Sequence, residues 1–254
     1  ARFFEEVVRS QFQRVLAERH LDPIRAVEHH LLLLDTSESM EVNDRLIPML
    51  EAARAYVNWL LPEDGRPAEE FANDLISIAG FDDDLILYAS PTALRATGAR
   101  DALLDAIGKV STGFYTTLSE SLEVSIQNLQ TLPERPVIIL ISDGADANGS
   151  THHDSVIKQV NGAQNLTVFP IGLGLSGMDR ASAGAIPGEH KAFLAELARA
   201  SGGKFLDRGK KGGNLVKAFD RIRLRLRREL SLTYLARPFG LGANDTRNAR
   251  DADT

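Results

Sequence analysis

The chain has 254 residues, 43% hydrophobic and 25% charged, enough to bury the core of a single α/β domain. Its 35 acidic residues outnumber 29 basic ones, and the resulting charge of −6 argues against a general attraction to nucleic acid or anionic membrane. Zero cysteines exclude disulfides, thiol chemistry and cysteine-based zinc sites, and nothing approaches the roughly eighteen uninterrupted apolar residues of a membrane span. The chain opens on Ala1-Arg2-Phe3 without Met, which leaves room for a removed signal or anchor.

Residues 1–23 carry Phe4, Val8, Phe12 and Val15 at helical spacing. They read as an amphipathic helix, docked on its own domain or free to meet a partner or a membrane surface. The domain proper spans 24–237. Its first strand is the run Leu31-Leu32-Leu33-Leu34, which ends on Asp35-Thr36-Ser37-Glu38-Ser39. A helix over Asp44–Leu61 follows, with Leu46, Leu50, Ala53, Val57 and Leu60 on one face and Pro62 as its stop. Ile76–Asp82 and Leu85–Tyr88 read as strands joined by a hairpin turn at Asp82-Asp83-Asp84. After a helix near 101–108, the turn Gly113-Phe114-Tyr115-Thr116-Thr117 leads into a helix over 118–130 with Leu118, Leu122, Ile126 and Leu129 in register.

Val137-Ile138-Ile139-Leu140-Ile141-Ser142 is a buried strand that ends on Asp143 and breaks at Gly144. Helices near 153–163, 190–200 and 214–230 follow, with a strand over Leu166–Gly174 between the first two. In the last helix Phe219, Ile222, Leu226 and Leu230 form the buried stripe, so the arginines of Arg221–Arg228 read as a solvated face bearing salt bridges rather than a nucleic-acid or lipid patch. Residues 238–254 read as a flexible tail.

Two strands thus end on aspartates, and two turns bring hydroxyls. In an open parallel α/β sheet, ligands bind outside the carboxyl ends of the strands, where these turns fall. Carboxylate and hydroxyl oxygens are hard donors suited to Mg²⁺, Mn²⁺ or Ca²⁺ rather than to zinc or copper. No phosphate loop, no Gly-x-Ser-x-Gly nucleophile turn and no dedicated general base accompanies them. The string Gly172-x-Gly174-x-x-Gly177 follows a strand but leads into a loop, Met178–Gly188, rather than a helix, so it reads as a structural turn and not a dinucleotide cradle. The pairs His29-His30 and His152-His153 read as solvent-facing, because adjacent residues of a strand or helix point to different sides. Asp146 reads only as an indirect support of a cation.

Asp35-x-Ser37-x-Ser39, the later Gly113-x-x-Thr116 and Ser142-Asp143-Gly144 together resemble the metal-ion-dependent adhesion site of the von Willebrand factor A (integrin I-like) domain. The resemblance covers about Ile24 to Tyr234. It implies a Rossmann-like, three-layer αβα sandwich around a six-stranded, mainly parallel sheet with one antiparallel edge strand. It also implies that Ser37, Ser39 and Thr116 hold Mg²⁺, or Mn²⁺ or Ca²⁺, by their hydroxyls, with Asp35 and Asp143 acting directly or through water.

The expected function is divalent-cation-dependent protein binding, without enzymatic activity, in which a partner protein presents an Asp or Glu to the metal. The alternative is a metal-dependent hydrolase or nucleotide-binding enzyme on the same architecture. Leu194–Ala198, Ser201–Phe205 and Leu232-Thr233-Tyr234 look most like bacterial members of the calcium-activated chloride channel homologue type, which points to a cell-envelope or secreted location. One departure stands out: the position between the two serines, usually glycine, is Glu38, which either turns to solvent or adds a negative charge beside the cation.

Overall fold

In the computed structural model of the chain the described residues are 27–143, 146, 152–163, 165–175, 188–208 and 215–228. The expected N-terminal helix, the segment Leu232–Tyr234, the loop following Gly177 and the C-terminal tail lie outside them.

Strand β1 (Glu28–Asp35) is buried along its whole length, and β2 (Leu75–Phe81) and β4 (Arg135–Ser142) pair with it in parallel on either side. A strand covered on both faces has no solvent side to alternate with, which is why its sequence reads as an uninterrupted apolar run. Strand β5 (Thr167–Gly172) pairs in parallel with β4, and the two-residue β6 (Leu206–Asp207) with β5. Strand β3 (Leu85–Ala93) lies antiparallel against β2 and is exposed at many positions, as suits an edge. The order is β3-β2-β1-β4-β5-β6, a six-stranded mixed sheet with one antiparallel edge strand. The strand order reverses between β1 and β4, so the crevice that suits a ligand opens beyond Asp35 and Ser142.

Seven helices are described: α1 (Glu38–Val42), α2 (Leu46–Leu60), α3 (Ala99–Gly108), α4 (Leu118–Gln130), α5 (His153–Gly162), α6 (Glu189–Ala200) and α7 (Leu215–Arg228). Alternation along β1 divides the core. Leu32 and Leu34 belong with Met49, Tyr56 and Val57 of α2, Leu103 of α3, and Phe219 and Ile222 of α7. Leu31 and Leu33 belong with Leu122 and Ile126 of α4, Val156 of α5, and Leu194 and Leu197 of α6. The result is a three-layer sandwich. Pieces far apart in sequence share each layer because each helix has a single apolar stripe to bury.

Three expectations need correction. The helix expected over Asp44–Leu61 begins at Leu46 and is preceded by the separate short α1; between them Asp44 takes φ 54°, a left-handed conformation that ends α1 and turns the chain. His29 and His30 do not face solvent, since they lie on the central strand and are 2% and 0% exposed. His152 is exposed, but His153 is buried and stacks on Phe193 with ring centroids 3.8 Å apart. On α7, Phe219, Ile222 and Leu226 are buried as the spacing requires, while Arg223 lies over the Trp59 ring and Arg225 donates to the Gly202 carbonyl. Among the described residues, no helix is long and apolar enough to cross a membrane.

Candidate metal centre

The buried strands β1 and β4 deliver their last residues side by side, and a chain of hydrogen bonds joins them. Asp35 is fully buried. Its Oδ1 accepts from the Ser37 backbone N–H at 3.1 Å and from the Ser37 hydroxyl at 2.6 Å, and its Oδ2 accepts from the Ser142 hydroxyl at 2.6 Å. The Ser37 Oγ is 3.1 Å from the Ser39 Oγ, which donates to Oδ2 of Asp143 at 2.8 Å. Four of the five expected ligands, Asp35, Ser37, Ser39 and Asp143, therefore form one cluster. Burial first, and the nearby Asp143 carboxylate second, push the Asp35 carboxyl up to about 7, against the opposing pull of its serine donors.

Thr116, the fifth, is buried on the neighbouring loop but makes no hydrogen bond to the other four among the described residues. What holds its loop beside them is a residue read from the sequence as a mere turn. The Asp82 Oδ2 accepts from the Thr36 hydroxyl at 3.0 Å, and its backbone carbonyl accepts from the Thr117 N–H at 3.0 Å and the Thr117 hydroxyl at 2.9 Å. Asp83 accepts from the Phe114 N–H, and the Gly113 N–H donates to the Thr36 carbonyl. Any Cβ at Gly113 would overlap the Asp82 carboxyl, so this turn requires glycine. Asp82 follows β2, a parallel neighbour of β1, and so reaches the same end of the sheet as Asp35. Asp146 accepts from the Ser119 N–H and hydroxyl, which satisfies a free donor in the first turn of α4.

Sequence reasoning missed Arg45. This residue is 5% exposed, and its Nη1 lies 3.0 Å from Oδ2 of Asp143, the oxygen that also accepts from Ser39. Gly174, at φ 69°, passes so close that a Cβ there would overlap the Arg45 guanidinium. The second glycine of the Gly-x-Gly string therefore makes room for an arginine. Glu38 is exposed, and its carboxylate enters none of the hydrogen bonds of the cluster.

The donor set fits a hard divalent cation: carboxylate and hydroxyl oxygens only, already drawn to within hydrogen-bond distance of one another at the strand ends.

A second charged cluster occupies the amino end of β1. Glu28, His30 and Asp74 bring one ligand atom each to within 4.8 Å of one another, all buried. His30 Nε2 lies 3.3 Å from Glu28 and 3.5 Å from Asp74, and its Nδ1 is 2.6 Å from the Tyr56 hydroxyl. Glu28 also pairs with Arg135 at 2.8 Å, and the Glu28 N–H donates to Asp74. Burial alone would lower the basicity of His30, but Asp74 and Glu28 outweigh it and hold the imidazole above the ordinary histidine range. His29, on the opposite face, is drawn down to about 4 by burial and by His30, and meets the Ser77 hydroxyl at 2.9 Å. The signal for the cluster was present in sequence, as two polar residues at i and i+2, Glu28 and His30, on one face of a strand about to become apolar.

Residues 30–145 match the family model described as the von Willebrand factor type A domain. Among solved structures, a von Willebrand factor type A protein from Catenulispora acidiphila is similar at TM-score 0.62 and 15% identity, covering 79% of this chain and 43% of that one. The vWF domain of a type V pili tip protein from Porphyromonas gingivalis is similar at TM-score 0.60 and 14% identity, covering 82% and 97%. BatB, a conserved hypothetical protein from Bacteroides thetaiotaomicron, is similar at TM-score 0.57 and 16% identity, covering 80% and 99%. The chain thus spans less than half of the first protein and nearly all of the other two. At these identities the likeness shows the fold and does not separate one branch of the family from another. No curated protein matches the sequence.

Proposed function

We propose that this chain, which carries a von Willebrand factor type A domain, is a divalent-cation-dependent protein-binding module and not an enzyme. The observation that carries the reading is the hydrogen-bonded run Asp35–Ser37–Ser39–Asp143, which joins the carboxyl ends of two neighbouring strands through oxygens alone. Ser37, Ser39 and Thr116 would hold the cation, supported by Asp35 and Asp143. A Mg²⁺ or Mn²⁺ ion bound there supplies a positive charge with an exchangeable coordination position, which an Asp or Glu of a partner protein suits best.

The surroundings favour a protein over a small anion. Phe114, Val42, Ile47 and Tyr115 are 77%, 72%, 68% and 64% exposed, the four most exposed large apolar side chains among the described residues. Val42 ends the helix that carries Ser39, Ile47 follows Arg45 by two residues, and Phe114 and Tyr115 immediately precede Thr116. Exposed apolar side chains concentrated around one site mark an interaction surface. The pili tip domain, and a PilB minor pilin from Streptococcus sanguinis at TM-score 0.60 and 14% identity, are neighbours in keeping with that reading.

Calorimetric titration should find one Mg²⁺ or Mn²⁺ site, and capture of partners from the native host should fail in chelator. Partner capture that survives both EDTA and Thr116→Ala at full strength would overturn the proposal. Turnover of a nucleotide or phosphoester that is lost in Ser37→Ala would favour the hydrolase instead.

A further inference from the structure

We infer that Arg45 is a resident counter-charge of this site, a buried guanidinium that competes with the divalent cation for Asp143 and so raises the cation concentration at which the site fills. The inference rests on the metal-binding reading proposed above and adds to it a residue that the adhesion motif does not contain.

Four observations converge on it. The Arg45 Nη1 lies 3.0 Å from Oδ2 of Asp143, the carboxylate oxygen tied to the Ser39 hydroxyl, so the guanidinium occupies the coordination neighbourhood rather than a distant surface. Its side chain is 7% exposed, so solvent does little to screen its charge from an incoming cation. Its Nε is buried and lacks a hydrogen-bond partner, so the side chain is held by one charged contact and by shape rather than by a full set of donors. The backbone leaves room for it, since Gly174 takes φ 69° and a Cβ there would overlap the guanidinium.

The electrostatics follow from that placement. With no cation, Arg45 offsets one of the two buried carboxylates, Asp35 and Asp143, and so favours the assembled cluster. A divalent ion brings two positive charges to the same oxygens. It must then either displace the guanidinium from Asp143 or bind against its repulsion, and both weaken the net affinity. Removing the positive charge should therefore tighten cation binding and loosen the cation-free site, two opposite effects from one substitution.

The test is calorimetric titration with Mg²⁺ and Mn²⁺ of the wild-type chain, Arg45→Gln and Arg45→Lys. Arg45→Gln should bind roughly tenfold or more tightly than wild type, and Arg45→Lys, which keeps the charge, should stay within a few-fold. In EDTA, Arg45→Gln should melt below wild type, and saturating Mg²⁺ should raise its melting temperature by more than it raises that of wild type.

Equal affinity in wild type and Arg45→Gln would overturn the inference and leave the metal site standing. Absence of any cation binding in all three proteins would overturn the metal site and the role of Arg45 with it. If Arg45→Gln does not fold, the wild-type chain suffices: its Arg45 Nε–H resonance should be protected from exchange in EDTA and should shift or lose protection as Mg²⁺ is added. A resonance unmoved at saturating Mg²⁺ would overturn the competition.

Discussion

The two ends of β1 carry the same kinds of groups and put them to different uses. At the amino end Glu28 and Asp74 face His30, all three buried, and Glu28 also pairs with the half-buried Arg135. At the carboxyl end, roughly 20 Å along the strand, Asp35 and Asp143 lie among serine hydroxyls with Arg45 beside Asp143, next to loops that expose Phe114 and Tyr115. The first cluster sets its carboxylates against cations carried by the sheet itself and ties strands together. The second sets them among neutral hydroxyl oxygens at an accessible rim, where an ion could be added. Acidic residues mark a candidate site here where hydroxyls and an accessible rim accompany them.

The largest effect should come from removing a carboxylate at the carboxyl end. Asp35→Ala should abolish measurable Mg²⁺ or Mn²⁺ binding by calorimetry, whereas His30→Gln should leave affinity unchanged. The same loss from both variants would erase the distinction between the two ends.

Next in size is the stability cost at the amino end. His30→Gln removes one of the cations that face Glu28 and Asp74, leaving Arg135 on Glu28, and should cost about 3 kcal/mol in denaturant unfolding. The sign of its pH dependence follows from the direction of the shift. His30 has a folded-state pKa above its unfolded value, so its contribution is fully present below about 6.5 and is lost as pH rises through the higher folded value. Unfolding free energy should therefore fall across that window in the wild type, and this component should vanish in His30→Gln. A wild-type profile that rises over the same range would show that the imidazole is buried neutral.

A smaller effect is expected from the clamp between loops. Asp82→Asn keeps the shape but weakens acceptance from the Thr36 hydroxyl, and should reduce cation affinity about tenfold by loosening the alignment of the turn that carries Ser37 with the one that carries Thr116. Unaltered affinity would mean that the backbone contacts of Asp82 suffice. The smallest effect belongs to Glu38, which is exposed. Glu38→Gly should change cation affinity by no more than about 1 kcal/mol, and a larger change would place its carboxylate at the ion.

Much of this was legible before the fold was known. The helix from Leu118 to Gln130 is bounded in the structure where its apolar spacing ends, and the strand before Asp143 could be read because both its faces are buried. The serines and aspartates of the site were legible because each sits at a switch from strand to turn. Arg45 was not, because its role depends on a chain reversal at Asp44 and on a contact 98 residues away. Nor was burial of the histidines: the apolar run marked β1 as buried, but His29 and His30 precede it, and only the pairing with β2 and β4 shows that the covered stretch begins at Glu28. Local periodicity reports which elements form, while the balance of charge between elements is a property of the assembled sheet.

The double grip of Asp82 also bears on when the site comes into being. Its carboxylate holds Thr36, 46 residues earlier, and its carbonyl holds Thr117, 35 residues later. The Thr36 contact needs β2 docked on β1, whose partners such as His29 and Leu75 lie 46 residues apart, whereas pairing of β1 with β4 joins residues such as Glu28 and Arg135, 107 apart, and must close the longer loop. Partly folded chains with β1 paired only to β2 would carry Asp35, Ser37, Ser39 and the Asp82 strut yet lack Asp143 at their side. Competence to hold a cation in full is thus acquired with docking of β4 on β1, so that binding of the ion doubles as a report that the centre of the sheet is complete.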